Sequence, residues 1–397
     1  DLSPAHLAAS TSEDGGRTWS QPRQMIGMEE GSVDNVMLVS LLRAHNDDLL
    51  IAYADQTPAM QARGMMLRRS SDDGRTWSAR QPITPDSNNV HQANNACLVA
   101  LRCGRIVLAM REYIDGVRWP YALFSDDDGR TWHVGRHVPD PELTDEQQRG
   151  QNVNEPSICE LADGRLLMTM RSVAGGQFFS WSSDRGETWT KPVLSPLRGA
   201  CSPAIVRRIP DSDDVLALFT YHYRDRTRLL SAVSTDGGLT WSDPIRTGVH
   251  TSQPGAQPCE PCLLRNPADG RIVALLRENS GDHQSLMMYS DDDGQSWSEM
   301  TEVQPPLTGS RHIARFSSDG RIVVTMRATT TDSLTHGDFV GWVGTWDDLI
   351  HAKPGQYRLL LLRNHGRPGD TGYAGLEALP DVSFVSTTYC VMAPTES

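Results

Sequence analysis

Ser70-Ser71-Asp72-Asp73-Gly74-Arg75-Thr76-Trp77 is one of six copies of a pattern, Ser-x-Asp-x-Gly-x-(Thr/Ser)-Trp, that punctuates a chain of 397 residues. The others run from Ser12 to Trp19, Ser125 to Trp132, Ser182 to Trp189, Ser234 to Trp241 and Ser290 to Trp297, at spacings of 52 to 58 residues. A fixed period of this length marks a repeat architecture and takes precedence over any local assignment. The chemistry of each copy is that of a pinned turn. Its carboxylate accepts backbone N–H groups, its glycine supplies a positive φ, and its tryptophan packs against the hairpin.

A short apolar run such as Tyr121 to Phe124 or Leu286 to Tyr289 enters each copy and supplies one strand of that hairpin. A second kind of hairpin precedes it, often turning on Asp-Gly-Arg, as at Asp163-Gly164-Arg165, Asp269-Gly270-Arg271 and Asp319-Gly320-Arg321. The runs after these turns, Ile106 to Met110, Leu166 to Met170, Ile272 to Leu276 and Ile322 to Met326, are continuously apolar. Strands of that kind are covered on both faces, which a radial stack of four-stranded sheets provides. Seven hairpins of each kind are expected, the last of the Trp type ending in a degenerate Thr345-Trp346-Asp347. The expected fold is therefore an all-β propeller of four-stranded antiparallel blades, one domain over residues 1–397. Seven blades are favoured, with six as the alternative, and the N- and C-terminal strands share the closing blade. Pro139 to Gly150 reads as an inserted loop.

Composition narrows the function classes. Asp and Glu outnumber Lys and Arg by 50 to 37, and the net charge of -13 argues against nucleic acid as a bulk electrostatic partner. No stretch approaches the apolar length of a membrane span, so no membrane insertion is expected. Seven cysteines, Cys97, Cys103, Cys159, Cys201, Cys259, Cys262 and Cys390, cannot all pair within one chain. Together with the missing signal-peptide pattern at Asp1, they tilt the expected compartment toward a reducing, cytoplasmic one. Cys259-Glu260-Pro261-Cys262 is a lone CxxC in a strand, expected to hold neither metal nor redox chemistry. No metal or organic cofactor is implied, and the sequence does not set the oligomeric state.

Aligning the repeats yields the candidate site. About 16 residues before the end of each second strand stand Asn95, Glu155, Glu260, Arg311 and Tyr373, and the strands end at Arg111, Arg171, Arg277, Arg327 and Tyr389. Packing alone does not select such residues. A guanidinium at the end of an apolar strand needs a carboxylate or a ligand anion. Glu155 with Arg171 and Glu260 with Arg277 form the expected bridges, while Arg111, Arg311 and Arg327 lack an evident carboxylate in the same position. An electropositive pocket suited to a small anionic group follows. His91, Asn94, Asn152, His312, Asp34 and Asn35 lie on the loops entering the same strands. Tyr373, between Gly372 and Ala374-Gly375, is a candidate nucleophile if a carboxylate such as Glu155 takes its proton. Asp55, Glu112, Asp115 and Asp34 compete for the role of general acid.

The repeated motif is the Asp-box, or bacterial neuraminidase repeat, so the chain resembles the sialidase superfamily. Asn154-Glu155, with Glu160-Leu161-Ala162-Asp163-Gly164-Arg165 and Arg171 after it, is similar to the sialidase segment that carries the glutamate partner of the nucleophile and one arginine of a carboxylate-binding triad. Gly372-Tyr373-Ala374-Gly375-Leu376 with Leu379-Pro380-Asp381 is similar to the segment of the nucleophilic tyrosine. The resemblance implies those roles for Glu155, Arg171 and Tyr373. Sialidases of this type have six blades and a Tyr/Phe-Arg-Ile-Pro segment ahead of the first box, and this chain lacks that segment.

The expected function is a retaining exo-glycosidase that hydrolyses a terminal acidic sugar, an acidic carbohydrate being the substrate partner. Tyr373 and Glu155 are the catalytic candidates; Arg111, Arg171, Arg277, Arg311, Arg327, Glu260, His91 and His312 are the substrate-binding ones. A polysaccharide lyase acting on uronate residues is the alternative enzyme, with Tyr373, His91 or His312 as base. A non-catalytic carbohydrate-binding propeller is the third reading.

Overall fold

A computed structural model describes residues 5–26, 35–56, 62–87, 89–140, 153–172, 174–198, 204–210, 212–223, 226–247, 254–366, 371–372 and 375–391. The strands in chain order begin with β1 (His6–Ser12) and β2 (Arg23–Ile26), followed by a sheet of β3 (Asn35–Arg43), β4 (Leu49–Gln56), β5 (Ala62–Ser70) and β6 (Gln81–Pro82). The next two sheets are β7 (Val90–Ala100), β8 (Ile106–Ile114), β9 (Val117–Ser125) and β10 (His133–Val134), then β11 (Asn154–Glu160), β12 (Leu166–Arg171), β13 (Gly176–Ser182) and β14 (Val193–Arg198). After them come β15 (Ile205–Arg208), β16 (Val215–Tyr223), β17 (Arg226–Ser234) and β18 (Ile245–Arg246), and β19 (Pro258–Arg265), β20 (Ile272–Glu278), β21 (Leu286–Ser290) and β22 (Thr301–Glu302). The last complete sheet is β23 (Gly309–Phe316), β24 (Ile322–Ala328), β25 (Phe339–Gly344) and β26 (Tyr357–Leu362), and the chain closes with β27 (Gly375–Ala378) and β28 (Phe384–Cys390).

The first and last strands share one sheet in the order β2-β1-β28-β27. Its seam runs antiparallel from His6 opposite Cys390 to Ser12 opposite Phe384. The fold is thus a seven-bladed β-propeller of four-stranded antiparallel sheets, with the closing blade shared by both ends of the chain. By compactness the residues form two units, one of Asp1–Leu41, Tyr223–Leu229 and Arg246–Ser397, the other of Leu42–His222 and Leu230–Ile245. Among the described residues no helix is long and apolar enough to cross a membrane.

Each Asp-box closes the hairpin between the third and fourth strands of its blade. Asp14, Asp72, Asp127, Asp184 and Asp236 accept the backbone N–H and hydroxyl of the threonine four residues on, and Asp292 does the same with Ser296. The box serine accepts the N–H of the box glycine at 2.8 Å, for instance Gly74 to Ser70. That glycine is left-handed in every copy, with Gly74 at φ 82°. Trp19, Trp77, Trp132 and Trp241 also donate Nε1–H to its carbonyl, so the indole locks the turn as well as covering it. The seventh position departs from the pattern. Thr345 caps a short helix, α1 (Trp346–Ile350), in a reciprocal capping box with Asp348.

The second strands read as continuous apolar runs because they are covered on both faces. Leu166 to Met170 and Ile322 to Met326 are buried at every residue. Within one unit, Leu264, Val273, Leu275 and Met287 pack against Ala314, Val324, Met326 and Trp342 of the following blade. Within the other, Cys159, Leu167 and Phe179 meet Val206, Ala217 and Phe219. Arginines stitch the rims of these contacts. Arg105 binds both oxygens of Asp126 in its own blade and reaches Glu187 and the carbonyls of Asp184 and Arg185 in the next blade's box. Arg321 likewise donates to the carbonyl of Asp14.

Candidate active site

In several blades the first strand carries a β-bulge at its entrance. Register slips between Asn154 and Ser157 in β11, between Cys259 and Cys262 in β19 and between Ser310 and Ile313 in β23. At each slip one residue is left-handed: Glu155 at φ 46°, Glu260 at 48° and Arg311 at 59°. Leu38 in β3 is also left-handed, at φ 57°. A bulge re-aims the side chain it carries, and here it lifts a charged residue out of the pleat. The strand-end arginine of the second strand sits beside it, since Arg171 pairs with Asn154, Arg277 with Cys259 and Arg327 with Ser310.

The energetics of this arrangement do not favour it as a stabilising device. A left-handed non-glycine residue costs about 1–2 kcal/mol, while a partly exposed ion pair returns about 0.2–1 kcal/mol. The Glu155–Arg171 pair, at 2.8 Å, has side chains 25% and 33% exposed, so it does not offset the strain. Strain kept at the same place in several blades points to function.

In the unit containing β7 to β14, Glu155 and Arg171 are joined by Arg111, Tyr113 and Arg118. Side chains of β8 alternate, so Arg111 and Tyr113 share one face and Glu112 takes the other. Arg111 is 9% exposed and donates to Gln92 Oε1 at 2.7 Å. Burial lowers its pKa, opposed by the charges of Tyr113 and Glu155. Arg118 lies directly across the hairpin from Tyr113 and donates Nε–H to its hydroxyl at 3.0 Å. Glu155 thus faces two guanidiniums, Arg171 in contact and Arg111 through its charge, and Arg118 adds a third positive charge beside Arg111 and Tyr113.

On the opposite face of β8, Glu112 receives Asn89 Nδ2 at 2.7 Å and contacts His137 Nε2 at 2.7 Å and His91 Nε2 at 3.6 Å. His91 is 2% exposed and bonds Tyr121 through Nδ1 and Ser87 through Nε2. Desolvation lowers its pKa, against the raising charge of Glu112.

In the other unit, Glu260 binds two arginines at once, Arg277 at 3.1 Å and Arg311 at 2.7 Å. This corrects the expectation that Arg311 has no carboxylate: its partner comes from the preceding blade, a relation that alignment of equivalent positions does not reveal. Arg327 is 8% exposed and directs Nε to Ser310 Oγ and Nη1 to the carbonyl of Thr371, both at 2.9 Å. It braces the backbone leading into the Tyr373 segment, where Gly372 stands at φ 100° with Arg327 Cβ 3.1 Å from where its own Cβ would lie. His312 is 5% exposed, with Nε2 3.1 Å from the carbonyl of Leu307 and burial pushing its pKa down to about 4. His91 and His312 are therefore interior groups in this structure, each bonded to protein. Cys259 is held as a thiol, its pKa pushed up to about 12 by burial and then by Glu260.

Tyr373, Asp34 and Asn152 lie outside the described residues, as do the side chains of Asn35, Asn94 and Asn95 and the stretch 141–150 of the expected inserted loop. Sequence reasoning missed Tyr113 and Arg118. The available clue was Tyr113-Ile114-Asp115-Gly116-Val117-Arg118, a tight hairpin whose two-residue turn sets Tyr113 against Arg118.

Residues 6–247 match the family described as BNR repeat-like domain, and residues 288–299 match the BNR/Asp-box repeat. A sialidase of Bacteroides fragilis is 25% identical over 275 residues, 59% of this chain and 48% of its own length. A sialidase of Clostridium perfringens is 27% identical over 221 residues, 49% of this chain and 54% of its own. The chain spans about half the length of these relatives. Among solved structures, the α-L-arabinofuranosidase of Fusarium graminearum in complex with arabinobiose superposes with a TM-score of 0.54 at 16% identity, covering 81% of this chain and 96% of that one. At that identity it shows a shared propeller fold.

Proposed function

Because the chain belongs to the BNR repeat-like domain family and is distantly related to bacterial sialidases, we propose that it is a retaining exo-glycosidase that removes a terminal acidic sugar from a glycan. The observation that carries this reading is the strained Glu155 with Arg171 in contact and the buried Arg111 acting on it, Arg118 lying beside Arg111. Planar guanidiniums are the side chains suited to bidentate recognition of a sugar carboxylate. Arg171 and Arg111 hold that carboxylate in this reading. Tyr373 is the nucleophile, on the evidence of its sequence segment. Glu155 is the base that makes a phenol competent to attack the anomeric carbon.

Hydrolysis of a sialic acid glycoside, followed by NMR for the anomer first released, tests this. Retention of configuration, with turnover lowered by orders of magnitude in Glu155→Gln and in Tyr373→Phe, is expected. Near-wild-type hydrolysis in both variants would contradict the mechanism. An unsaturated product absorbing in the near ultraviolet from a uronate polymer would instead mean β-elimination. Tight glycan binding with no turnover would mean a binding propeller.

A further inference from the structure

The cluster on β8 and β9 contains a proton donor that the glycosidase reading leaves unnamed. Three of the four carboxylic acids first considered for the role are poorly placed for it. Asp55 is 4% exposed with Arg80 at 3.7 Å, Glu112 is engaged by Asn89 and His137, and Asp115 is exposed in the β8–β9 turn. Asp34 lies outside the described residues.

Tyr113 is placed differently. Its hydroxyl accepts Nε–H from Arg118 at 3.0 Å, and the guanidinium carbons of Arg118 and Arg111 lie 5.4 and 5.9 Å from its ring centroid. The two arginines approach from separate strands, Arg111 from the same face of β8 and Arg118 from the opposed position of β9. From the adjacent blade, Glu155 acts on Arg111 electrostatically and pairs with Arg171. A guanidinium that donates to a phenolic oxygen stabilises the phenolate over the phenol.

We propose that Tyr113 is the general acid of the reaction, giving its phenolic proton to the oxygen of the departing glycan while Arg118 and Arg111 stabilise the phenolate left behind. The step balances. The bond between the anomeric carbon and the leaving oxygen breaks and its electron pair passes to that oxygen, which takes the Tyr113 proton and departs as an alcohol. The nucleophile forms the new bond to the anomeric carbon. In the second half-reaction the phenolate takes a proton from the attacking water, and no oxidant or reductant is involved. Burial alone raises the Tyr113 pKa, but the Arg118 hydrogen bond and the charges of Arg111 and Arg118 outweigh it and hold the group below the ordinary tyrosine range. That moves the acid toward the working pH, where proton transfer is efficient.

The inference rests on the glycosidase reading for the identity of the substrate, though not for the ionisation of Tyr113, and two measurements on the intact chain separate them. In the first, kcat/KM is compared for an alkyl and a 4-nitrophenyl glycoside of the same acidic sugar. Tyr113→Phe is expected to lose about 10²–10⁴-fold on the alkyl glycoside and less than about tenfold on the nitrophenyl one, whose leaving group needs no proton. Equal losses on both, or a loss on neither, would overturn the role. In the second, tyrosine ionisation is followed by near-ultraviolet absorbance as the pH is raised. One of the nine tyrosines is expected to ionise ahead of the rest, to be missing in Tyr113→Phe and to move to higher pH in Arg118→Gln. Titration curves of wild type and Tyr113→Phe that differ only at the high-pH end would overturn the proposal even if both glycosides are hydrolysed. An early-ionising Tyr113 in a chain that hydrolyses neither glycoside would support its primed state and count against the glycosidase reading instead.

Discussion

Glu155 meets Arg171 at 2.8 Å from a backbone that is itself left-handed, φ 46°. A residue that only paired with the neighbouring strand would not need that conformation, because the same bridge forms from a regular strand at no conformational cost. Replacement by glycine separates the two contributions. Glu155→Gly relieves strain of about 1–2 kcal/mol while removing an ion pair of about 0.2–1 kcal/mol. Its stability by urea denaturation is expected to equal or slightly exceed wild type, with turnover lost.

Arg327 is a positioning residue for the segment that carries Tyr373. Loss of its bond to the Thr371 carbonyl leaves a buried acceptor unpaired, at about 1–3 kcal/mol. Arg327→Met is therefore expected to unfold at lower denaturant by that amount and to lower kcat more than KM. An unchanged midpoint would remove the bracing role.

Asp72 and Asp127 stay ionised in the folded chain down to about pH 2, against an ordinary 3.8. Asp72 is lowered chiefly by the Thr76 hydroxyl; in Asp127, hydrogen bonds from Thr131 and Ser125 outweigh a raising effect of desolvation. Between those pH values the unfolded chain binds more protons, so the stability these boxes contribute is lost as pH falls from about 4 to about 2. Both carboxylates are near solvent, so each contribution is under about 1 kcal/mol. Asp72→Asn is expected to make the acid limb of the stability curve shallower in that window.

His312 acts at higher pH. Its folded value of about 4 lies below the ordinary 6.5, so the unfolded chain takes up a proton that the folded chain refuses between them. Stability from this residue is full above pH 6.5 and falls as pH drops toward 4. His312→Gln, compared by thermal denaturation at pH 7 and pH 5, is expected to show a smaller difference in Tm than wild type. An equal difference would mean that His312 is not the group responsible.

The propeller was legible because its period is long, regular and marked by a turn that tolerates little variation. Six boxes and seven pairs of hairpins gave the blade count, and the closing seam of β1 on β28 followed from a chain that opens on one kind of hairpin and ends on the other. The bulged positions Glu155, Glu260 and Arg311 were also legible, since they stand 16 or 17 residues before the strand-end arginines. Their left-handed backbone was not, because glutamate and arginine carry no mark of positive φ. Nor was the bond of Arg311 to Glu260, which crosses from one blade to the next. His91 and His312 look like loop residues in sequence but are drawn inside by Tyr121 and Leu307. Tyr113 escaped notice because its partner Arg118 belongs to another strand and neither fits the repeat.

The most direct measurement is a crystal structure of the chain soaked with an acidic monosaccharide such as free sialic acid. The expected result is a sugar carboxylate hydrogen-bonded to the guanidiniums of Arg171 and Arg111, with Glu155 still on its bulge beside them. A sugar bound with its carboxylate away from both arginines, or no binding with the Glu155–Arg171 pair undisturbed, would contradict the assignment of this cluster as the acidic-sugar site.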